Sequence, residues 1–558
     1  MIIRNPILRG FNPDPSIVRV GEDYYVATST FEWFPGVQIH QSRDLATWRL
    51  VARPLSRPSQ LDLRGSPDSC GVWAPDLSYA NGRFHLIFTD VKRYGRTTVS
   101  GAKGASLRDF HNYWVSSDRI DGGWSDPVHL NSSGFDPALF HDDDGRSWLL
   151  NMLWDHRPGR TRFAGIVAQE MGLADGQIKG APRLIFEGTS LGFTEGPHVF
   201  KRNGWYHLLV AEGGTGRNHA VVMARSRSLF GPYEIHPDGP VLSALGQPDM
   251  PLQRAGHGDL VETPAGETWM VYLCGRPLPE SDRCVLGRET AIQPMRWDED
   301  GWLRTEAGDA RPLNIIGAFD IGAASEALEE FHDFKQTTLP DVFQWLRTPY
   351  PDQIFSLTAR PGHLTLFGRE TIGSHFTQAL VARRQQAFCF KADTLVDFAP
   401  ACFQQAAGLV CYYNSTKFHY LHVTAGDDGA RQIQVMSALP EGDGCIVAST
   451  PFPVPDGPVH LRVAVDHETL RFAFRAKDAA AWFWLPETFD AGILSDEATL
   501  PGLPNFTGAF VGMACQDLTG SGRQAAFAHF RYMEHPAQVT APEALPLEKA
   551  TLTSWGRE

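Results

Sequence analysis

The sequence predicts an all-β protein with two domains, a five-bladed β-propeller followed by an antiparallel β-sandwich. The first observation is a unit that recurs through the first three hundred residues and sets a small residue or a proline beside an acid, ahead of an apolar run. The second observation is a set of longer alternating segments after residue 330. Such alternation, with turns between the segments, is typical of an antiparallel sandwich.

The recurring unit is defined by five short motifs. They are Asn12-Pro13-Asp14-Pro15, Trp73-Ala74-Pro75-Asp76, Phe135-Asp136-Pro137, Glu195-Gly196-Pro197 and Gly256-His257-Gly258-Asp259. The steps from Pro15 through Pro75, Pro137 and Pro197 to Asp259 are 60, 62, 60 and 62 residues. Aromatic-rich strands follow short turns in these units, which is a hairpin signature. A repeat of about four short strands is the pattern of a propeller blade, so we predict five blades.

Three of these motifs bring carboxylates to one place. Equivalent positions in successive blades are related by rotation about one axis, so Asp14, Asp136 and Glu195 should converge on one end of the central channel. Each acid can instead simply bond to backbone N–H groups at a strand start, as Asp often does in turns. Three acids together favour a function. They suit glycoside hydrolysis, in which one carboxyl protonates the leaving oxygen and another activates water or attacks carbon.

The remaining pattern divides the chain. We predict a propeller over residues 1–315, a connector over 316–335, a sandwich over 336–540 and a C-terminal tail over 541–558. Ile2 and Ile3 precede the first repeat, and we expect them to supply a strand to the last blade and so close the ring. Residues 325–334 form an acidic segment for which a short helix is an option. Residues 459–465 are an example of the alternating strands of the second domain.

Composition excludes several classes of function. The formal net charge of −14 argues against nucleic-acid binding, which depends on Lys and Arg neutralising phosphates. No apolar run approaches the length of about 18 residues that a membrane span needs, and the N-terminus lacks the pattern of a secretory signal. The eight cysteines form no C-x-x-C pair and are expected to be reduced. We therefore expect a cytoplasmic protein without a nucleic-acid or membrane partner.

The five motifs, together with Leu286-Gly287-Arg288-Glu289-Thr290 and residues 506–513, closely resemble glycoside hydrolase family 43, in particular its two-domain β-xylosidases. The resemblance covers nearly the whole chain. It implies an inverting enzyme in which Asp14 is the general base, Glu195 is the general acid, and Asp136 orients Glu195 and raises its pKa. A nearby carboxylate disfavours ionisation of Glu195, which agrees with the acid role.

The resemblance also implies substrate contacts. Arg288 would bind the sugar or the base, and His257 would lie at the floor of the pocket. Three aromatic residues would form apolar walls against the xylose ring: Phe31, Trp73 and Trp154. Phe506, from the concanavalin-like second domain, would close the pocket and make the enzyme exo-acting. Each residue has an ordinary alternative, because Trp and Phe are more often core residues and a lone His is usually a satisfied core residue.

The expected function is an exo-acting, inverting β-1,4-xylosidase that releases xylose from the non-reducing ends of xylo-oligosaccharides, with α-L-arabinofuranosidase as a side activity. One alternative makes arabinofuranosidase the main activity, and another is a non-catalytic sugar-binding propeller. The sequence shows no ligand set that requires a metal, and the run from His141 to Gly145 lacks the ligands of an EF-hand. No cofactor is therefore expected. The resemblance leaves open a structural calcium ion in the propeller channel and a homo-oligomer.

Overall fold

The computed structural model describes residues 2–95, 107–317, 328–440, 444–499 and 505–535. Within these ranges the regular secondary structure consists of β-strands and two 3₁₀ turns, at Pro351–Gln353 and Ala491–Ile493. None of the described segments forms a helix of the length and apolarity needed to cross a bilayer. The predicted all-β class is confirmed. The predicted tail and part of the predicted connector lie outside the described residues.

Five antiparallel sheets follow one another along the chain and form the blades of the predicted propeller. Blade I contains Ser16–Val20, Asp23–Thr28, Gln38–Ser42 and Arg49–Ala52. Blade II contains Gly71–Ala80, Arg83–Tyr94, Arg108–Ser117 and Val128–Asn131. Blade III contains Ala138–His141, Ser147–Trp154, Phe163–Met171 and Ile178–Phe186. Blade IV contains Glu195–Arg202, Trp205–Glu212, Ala220–Ser226, Glu234–Ile235 and Leu242–Ser243. Blade V contains Gln253–Glu262, Thr268–Gly275, Glu289–Trp297 and Leu303–Thr305.

Neighbouring blades are joined around the channel by side chains that accept hydrogen bonds from backbone amides. Ser16 Oγ of blade I accepts from Leu77 N of blade II at 3.0 Å. Asp76 Oδ2 of blade II accepts from Leu139 N of blade III at 2.8 Å. In each contact a buried side-chain oxygen and a backbone amide satisfy one another's hydrogen-bonding capacity. These contacts therefore fix the blades relative to one another.

The ring closes differently from the prediction. Ile3–Arg4 pairs with Ile315–Ile316 in a separate two-stranded sheet, not with the last blade. Blade V already takes its fourth strand, Leu303–Thr305, from its own segment, so its sheet is complete without the N-terminus. Blades V and I are instead connected by Asp259 Oδ2, which accepts a hydrogen bond from Ile17 N at 2.7 Å.

The second domain consists of two nine-stranded antiparallel sheets. The first contains, in spatial order, Phe355–Ser356, Leu364–Phe367, Gln524–Glu534, Cys389–Asp397, Val459–Asp466, Thr469–Ala476 and Phe483–Trp484, with Glu329–His332 and Phe489–Asp490 paired beside this path. The second contains Cys445–Ala448, Arg431–Leu439, Lys417–Ala425, Gln405–Asn414, Phe510–Asp517, Ala379–Arg384, Phe343–Leu346 and Trp33–Phe34, with Phe452–Pro453 beside it. This is the predicted sandwich. The short helix considered for residues 325–334 is wrong for residues 329–332. Glu329–His332 is a strand that pairs with Gln524–Glu534.

One strand of the second sheet comes from the propeller domain. Trp33–Phe34, which follows the first hairpin of blade I, pairs with Phe343–Leu346 of the sandwich. The Trp33 ring stacks on Phe510 with 3.7 Å between centroids, and both rings are buried. The two domains therefore share a sheet and a core, and Phe31 of the candidate site lies two residues before this junction.

Candidate active site

Each blade has a residue with a positive φ at the same position of the repeat, at or near the start of its innermost strand. These residues are Asp14, Ala74, Asp136, Gly196 and His257, with φ values of 54°, 27°, 52°, 55° and 47°. A positive φ is uncommon for residues other than glycine and often occurs at functional sites. Two of the predicted catalytic carboxylates hold this position, and the third, Glu195, directly precedes Gly196. The sequence repeat and the strained backbone thus mark the same ring of residues.

All nine predicted site residues line one cavity of about 720 Å³. They are Asp14, Phe31, Trp73, Asp136, Trp154, Glu195, His257, Arg288 and Phe506. The cavity lies at the end of the propeller channel, and Phe506 reaches it from the sandwich domain. The volume is within the usual range of small-molecule sites.

Asp14 is held on both carboxylate oxygens. Arg288 Nη1 donates to Asp14 Oδ1 at 3.0 Å, and the Ser29 hydroxyl donates to Asp14 Oδ2 at 2.7 Å. The side chains of Asp14 and Arg288 are each only 6% exposed. Charge-assisted hydrogen bonds of this kind fix geometry strongly. The carboxylate is therefore positioned to accept a proton from one oriented water molecule.

Glu195 is a half-buried carboxyl group with a raised pKa. Burial is the main cause, and together with the negative charge of Asp14 it raises the pKa of Glu195 to about 8. The cations Arg288 and Arg108 act in the opposite direction, in that order. A group with this pKa remains largely protonated at neutral pH, and it can therefore act as a general acid.

Asp136 is the third carboxyl group of the site. Its Oδ2 accepts a hydrogen bond from Gly196 N at 3.1 Å, so it holds the residue that follows Glu195. Burial raises the pKa of Asp136 well above its usual range, and the charges of Glu195 and Asp14 raise it further. The charges of neighbouring carboxylates therefore oppose ionisation of both Asp136 and Glu195.

His257 lines the cavity next to Asp14. Its Nδ1 is 3.8 Å from Asp14 Oδ1, which is too long for a hydrogen bond. Burial lowers the pKa of His257 to about 4, although Asp14 opposes this shift. The imidazole is therefore neutral at physiological pH, and the contact with Asp14 is not an ion pair there.

The apolar wall is a cluster of aromatic rings from both domains. Ring centroids of Phe31 and Trp73 are 5.6 Å apart, and those of Trp73 and Phe506 are 5.4 Å apart. Ser69 joins two of these residues, since its carbonyl accepts from the Trp73 indole at 3.0 Å and its hydroxyl accepts from Phe506 N at 3.1 Å. Trp154 differs from the expectation of a bare platform, because the Arg108 guanidinium lies 4.2 Å from its ring centroid.

Sequence reasoning missed the residues that form the outer part of the cavity. They include Tyr94, Arg108, Thr161, Arg162, Phe163, Gly192 and Phe193. Most lie in or next to loops that differ between blades, so no repeat marked them. The buried His219, which packs against Gly256, was also missed. Gly214 and Thr215, in a glycine-rich run, also line the cavity. Phe193 has an exposed ring and a left-handed backbone conformation, and no motif in the sequence predicts either property.

A second layer of polar residues lies on the channel below His257. The layer contains Asp76, His198 and Asp259, which come two residues after Ala74, Gly196 and His257. Their possible metal-ligand atoms lie within 4.8 Å of one another. Burial raises the pKa of Asp76 to about 6 and that of Asp259 to about 7. Buried carboxyl groups of this kind are stabilised by protons or by a bound cation.

Comparisons with known proteins identify the family of the chain. Residues 3–303 match the family described as glycosyl hydrolases family 43, and residues 332–533 match the β-xylosidase C-terminal concanavalin A-like domain. A protein named xylosidase/arabinosidase 43B from Humicola insolens is 50% identical over 96% of this chain and 98% of its own. A protein named β-xylosidase from Bacillus subtilis is 46% identical over 96% of this chain and 100% of its own.

A solved structure supports the same relationship. The xylan β-1,4-xylosidase from Bacillus halodurans C-125 superposes with a TM-score of 0.89 at 47% sequence identity, covering 95% of this chain and 100% of that one. The match extends over the propeller and the sandwich together. The resemblance that the motifs predicted is confirmed, and the chain belongs to glycosyl hydrolase family 43.

Proposed function

We propose that the protein is an exo-acting β-1,4-xylosidase that releases xylose from the non-reducing ends of xylo-oligosaccharides with inversion. The observation that carries this proposal is the cluster of Asp14, Asp136 and Glu195, in which one carboxylate is fixed by Arg288 and another has a pKa of about 8. The names of the relatives support the choice of xylose as the glycone.

The proposed reaction is a single displacement. Asp14 takes a proton from a water molecule, whose oxygen bonds to the anomeric carbon. Glu195 gives its proton to the glycosidic oxygen as the bond between that oxygen and the anomeric carbon breaks. Inversion of this kind requires the two carboxyl groups to be roughly 6.5–9.5 Å apart, which leaves room for the water. Asp136 holds Gly196 and thereby orients Glu195.

Exo action is supported by the wall that the sandwich contributes. Phe506 and Arg288 are linked, because Arg288 Nη2 donates to the Phe506 carbonyl at 3.1 Å. The same guanidinium lies 5.4 Å from the Phe31 ring and 5.6 Å from the Phe506 ring. A pocket closed on this side admits a chain end and not the middle of a polymer.

Arabinofuranosidase activity is a second candidate. A relative whose name includes both xylosidase and arabinosidase favours it, and a five-carbon sugar presents similar hydroxyl groups without a sixth carbon. The test is to compare kcat/KM for xylobiose and for an α-L-arabinofuranoside. A higher value for xylobiose is expected. A higher value for the arabinoside reverses the assignment, and binding of xylobiose without turnover of either supports the sugar-binding alternative.

A calcium ion in the channel is part of the same proposal. Asp76, Asp259 and His198 fit a divalent cation in part, because two buried carboxylates offer the oxygen ligands that calcium prefers and water can complete the shell. Bound there, the ion would supply positive charge below His257. Metal analysis of the purified protein and a chelator-induced fall in melting temperature would test it, with Asp76→Asn as the variant.

We also propose a cytoplasmic location and a homo-oligomeric assembly. All eight cysteines are unpaired, which supports a reducing compartment such as the cytoplasm. The family resemblance supports a homo-oligomer. Fractionation of the native host cells and light scattering of the purified protein would test these two statements.

A further inference from the structure

A cluster of three metal-ligating side chains lies on the sandwich domain, away from the residues that line the cavity. It consists of Cys389, Asp466 and His467, whose possible ligand atoms all lie within 4.8 Å of one another. Cys389 begins the strand Cys389–Asp397, and Asp466 ends the neighbouring strand Val459–Asp466. The two residues are direct partners in the antiparallel register. Their side chains therefore leave the same face of the sheet at adjacent positions.

His467 is brought to this pair by a tight turn. It follows Asp466 directly, its backbone has a φ of 52°, and the next strand begins at Thr469. Its backbone N–H donates to the Phe388 carbonyl at 3.1 Å. The two rings of His467 and Phe388 stack, with 5.9 Å between centroids and 21° between planes. The turn and this stacking hold the imidazole beside the Cys389 thiol.

The three ligand atoms have nearly the spacing of corners of one coordination tetrahedron. Cys389 Sγ is 3.3 Å from Asp466 Oδ1 and 3.5 Å from His467 Nδ1, and Oδ1 is 2.8 Å from Nδ1. A tetrahedral zinc ion separates a sulfur ligand from a nitrogen or oxygen ligand by roughly 3.6 Å, and a nitrogen from an oxygen ligand by roughly 3.4 Å. Only the shortest edge must open by more than a few tenths of an ångström. The Asp466 side chain is 68% exposed and can rotate to allow this.

The donor set selects a class of ion. Thiolate sulfur and imidazole nitrogen are ligands of zinc and similar ions, whereas calcium and magnesium prefer oxygen. Cys389 is 8% exposed and anchors the cluster from below, while Asp466 and His467 face the solvent in part. Three protein ligands with access to solvent leave the fourth position of a zinc ion for water.

Without a metal, the same three groups can satisfy one another by hydrogen bonding. The Cys389 thiol donates to Asp466 Oδ1, and the His467 ring nitrogen Nδ1 lies at hydrogen-bonding distance from the same oxygen. Metal binding must therefore displace a proton. The S–H bond breaks, a bond between sulfur and the metal forms, and the thiol proton passes to the solvent. With its own proton on Nε2, the imidazole then offers the Nδ1 lone pair to the ion.

The turn that carries His467 also contacts the propeller. Glu468 Oε1 accepts a hydrogen bond from Glu280 N of the propeller domain at 3.2 Å. The guanidinium carbon of Arg276, from the same domain, lies 5.5 Å from the centroid of the Phe388 ring. An ion bound beside this turn would therefore restrain a contact between the two domains.

We infer that Cys389, Asp466 and His467 form a structural binding site for a divalent ion of the zinc class. The ion connects two neighbouring strands of the sandwich and the turn that contacts the propeller. The inference is independent of the proposed function, because none of these three residues lines the cavity. It is also separate from the proposed calcium site, whose three ligands include no sulfur.

Cobalt(II) is the probe that makes the proposed site visible, because thiolate-bound cobalt absorbs in the near ultraviolet by sulfur-to-metal charge transfer. Titration of the chelator-treated protein should produce this band and saturate at one thiolate-bound ion per chain. Zinc should remove the band, since it binds such sites more tightly than cobalt. No band would mean that the three groups only hydrogen-bond to one another, which would overturn the inference.

Two cysteine variants assign the band to its ligand. Cys389→Ser should abolish it. Cys445→Ser, at an exposed cysteine of the same domain, is the matched control and should keep it. A band that persists in Cys389→Ser, or that is lost in Cys445→Ser, would place the ion elsewhere and contradict the proposed site.

Two further variants serve if Cys389→Ser does not fold. Asp466→Asn and His467→Asn leave the thiol in place, and asparagine tolerates the left-handed backbone at position 467. Each should weaken zinc binding by at least about tenfold, because the loss of a direct ligand should cost no less than the loss of a group that orients one. Isothermal titration calorimetry measures the affinity, and unchanged affinity in both variants would exclude the cluster.

The proton balance and the melting temperature supply two more readouts. Calorimetry in buffers of different ionisation enthalpy should show about one proton released for each zinc ion that the wild type binds. Zinc should raise the melting temperature of the wild type and of Asp76→Asn, but raise it less in Cys389→Ser, because the ion binds the folded site. Zinc binding without proton release, or an equal rise in Cys389→Ser, would contradict a thiolate-bound ion at this turn.

Discussion

Arg288 connects the proposed general base to the second domain, because its Nη1 lies 3.0 Å from Asp14 Oδ1 while its Nη2 lies 3.1 Å from the Phe506 carbonyl oxygen. One planar side chain thus spans the propeller channel and the sandwich segment that closes the pocket. The geometry of the base depends on how the two domains are docked. This arrangement gives a reason why a domain outside the propeller contributes to the site.

Replacing Arg288 by lysine tests this link. Lysine keeps the positive charge but cannot donate to two partners from a rigid fork. We expect Arg288→Lys to lower kcat/KM for xylobiose by at least about tenfold, because the Asp14 carboxylate loses its fixed orientation. Arg296→Lys, at an exposed ion pair with Asp298, is the matched control and should remain active. Wild-type rates in Arg288→Lys would contradict the link.

Asp14→Asn tests the base directly. The amide cannot take a proton from water, so turnover should fall by about 10²–10⁴-fold on every substrate, whatever its leaving group. Steady-state rates on xylobiose and on 4-nitrophenyl β-D-xyloside measure this. Asp118→Asn changes a carboxylate that is 73% exposed in its side chain and should have no effect. Near-normal rates in Asp14→Asn would remove Asp14 from the mechanism.

The pKa of Glu195 predicts the pH above which activity is lost. The acid must be protonated to act, and its pKa is raised to about 8, first by burial and then by the charge of Asp14. Activity should therefore be retained below this pH and lost as the pH rises through about 8. A kcat/KM profile for xylobiose measures the limb. A limb near the ordinary range of a glutamate would refute the assignment.

Glu195→Gln should affect substrates according to their leaving groups. Xylobiose needs protonation of the departing sugar, whereas nitrophenolate leaves with little help. The variant should lose far more kcat on xylobiose than on 4-nitrophenyl β-D-xyloside, and the wild-type ratio of the two rates is the control. Equal losses would indicate that Glu195 binds the substrate and does not protonate it.

Domain docking can be tested at a buried ion pair. Arg347 of the sandwich, with a fully buried side chain, lies 2.7 Å from Asp68 of the loop between blades I and II. Arg347→Met removes the only arginine paired with Asp68 among the described residues and leaves it with Ser415 and His375, which should lower the free energy of unfolding by about 3 kcal/mol. Arg360→Met, at an exposed pair with Asp397, should cost about 0–1 kcal/mol. Urea unfolding measures both, and equal effects would contradict a docking role for Arg347.

Much of the propeller was predictable because its blades repeat in sequence. The regular spacing from Pro15 through Pro137 to Asp259 predicts the positions of the innermost strands. Because equivalent positions in the blades are related by rotation about one axis, Asp14, Asp136 and Glu195 were expected to lie together. Ring closure was not predictable from the same pattern, since the pairing of Ile3–Arg4 depends on where residues 315 and 316 lie after folding. The same holds for Trp33–Phe34, whose short apolar run carries no signal that it joins a distant sheet.

The inner part of the site was predictable and the outer part was not. Asp14 and Arg288 lie in motifs that recur or that resemble the family, and the structure brings them within hydrogen-bonding distance. Arg108 and Phe193 lie outside these motifs, and their importance comes from what surrounds them. A place in the lining of a cavity is a property of packing, which a sequence does not display.

The measurement that tests the central claim most directly is proton NMR of xylobiose during hydrolysis, recorded before the released xylose mutarotates. The account predicts that α-xylose appears first, because water activated by Asp14 attacks the face opposite the leaving group. If β-xylose appears first, the reaction passes through a covalent intermediate, Asp14 acts as a nucleophile, and the proposed roles of the three carboxyl groups are wrong.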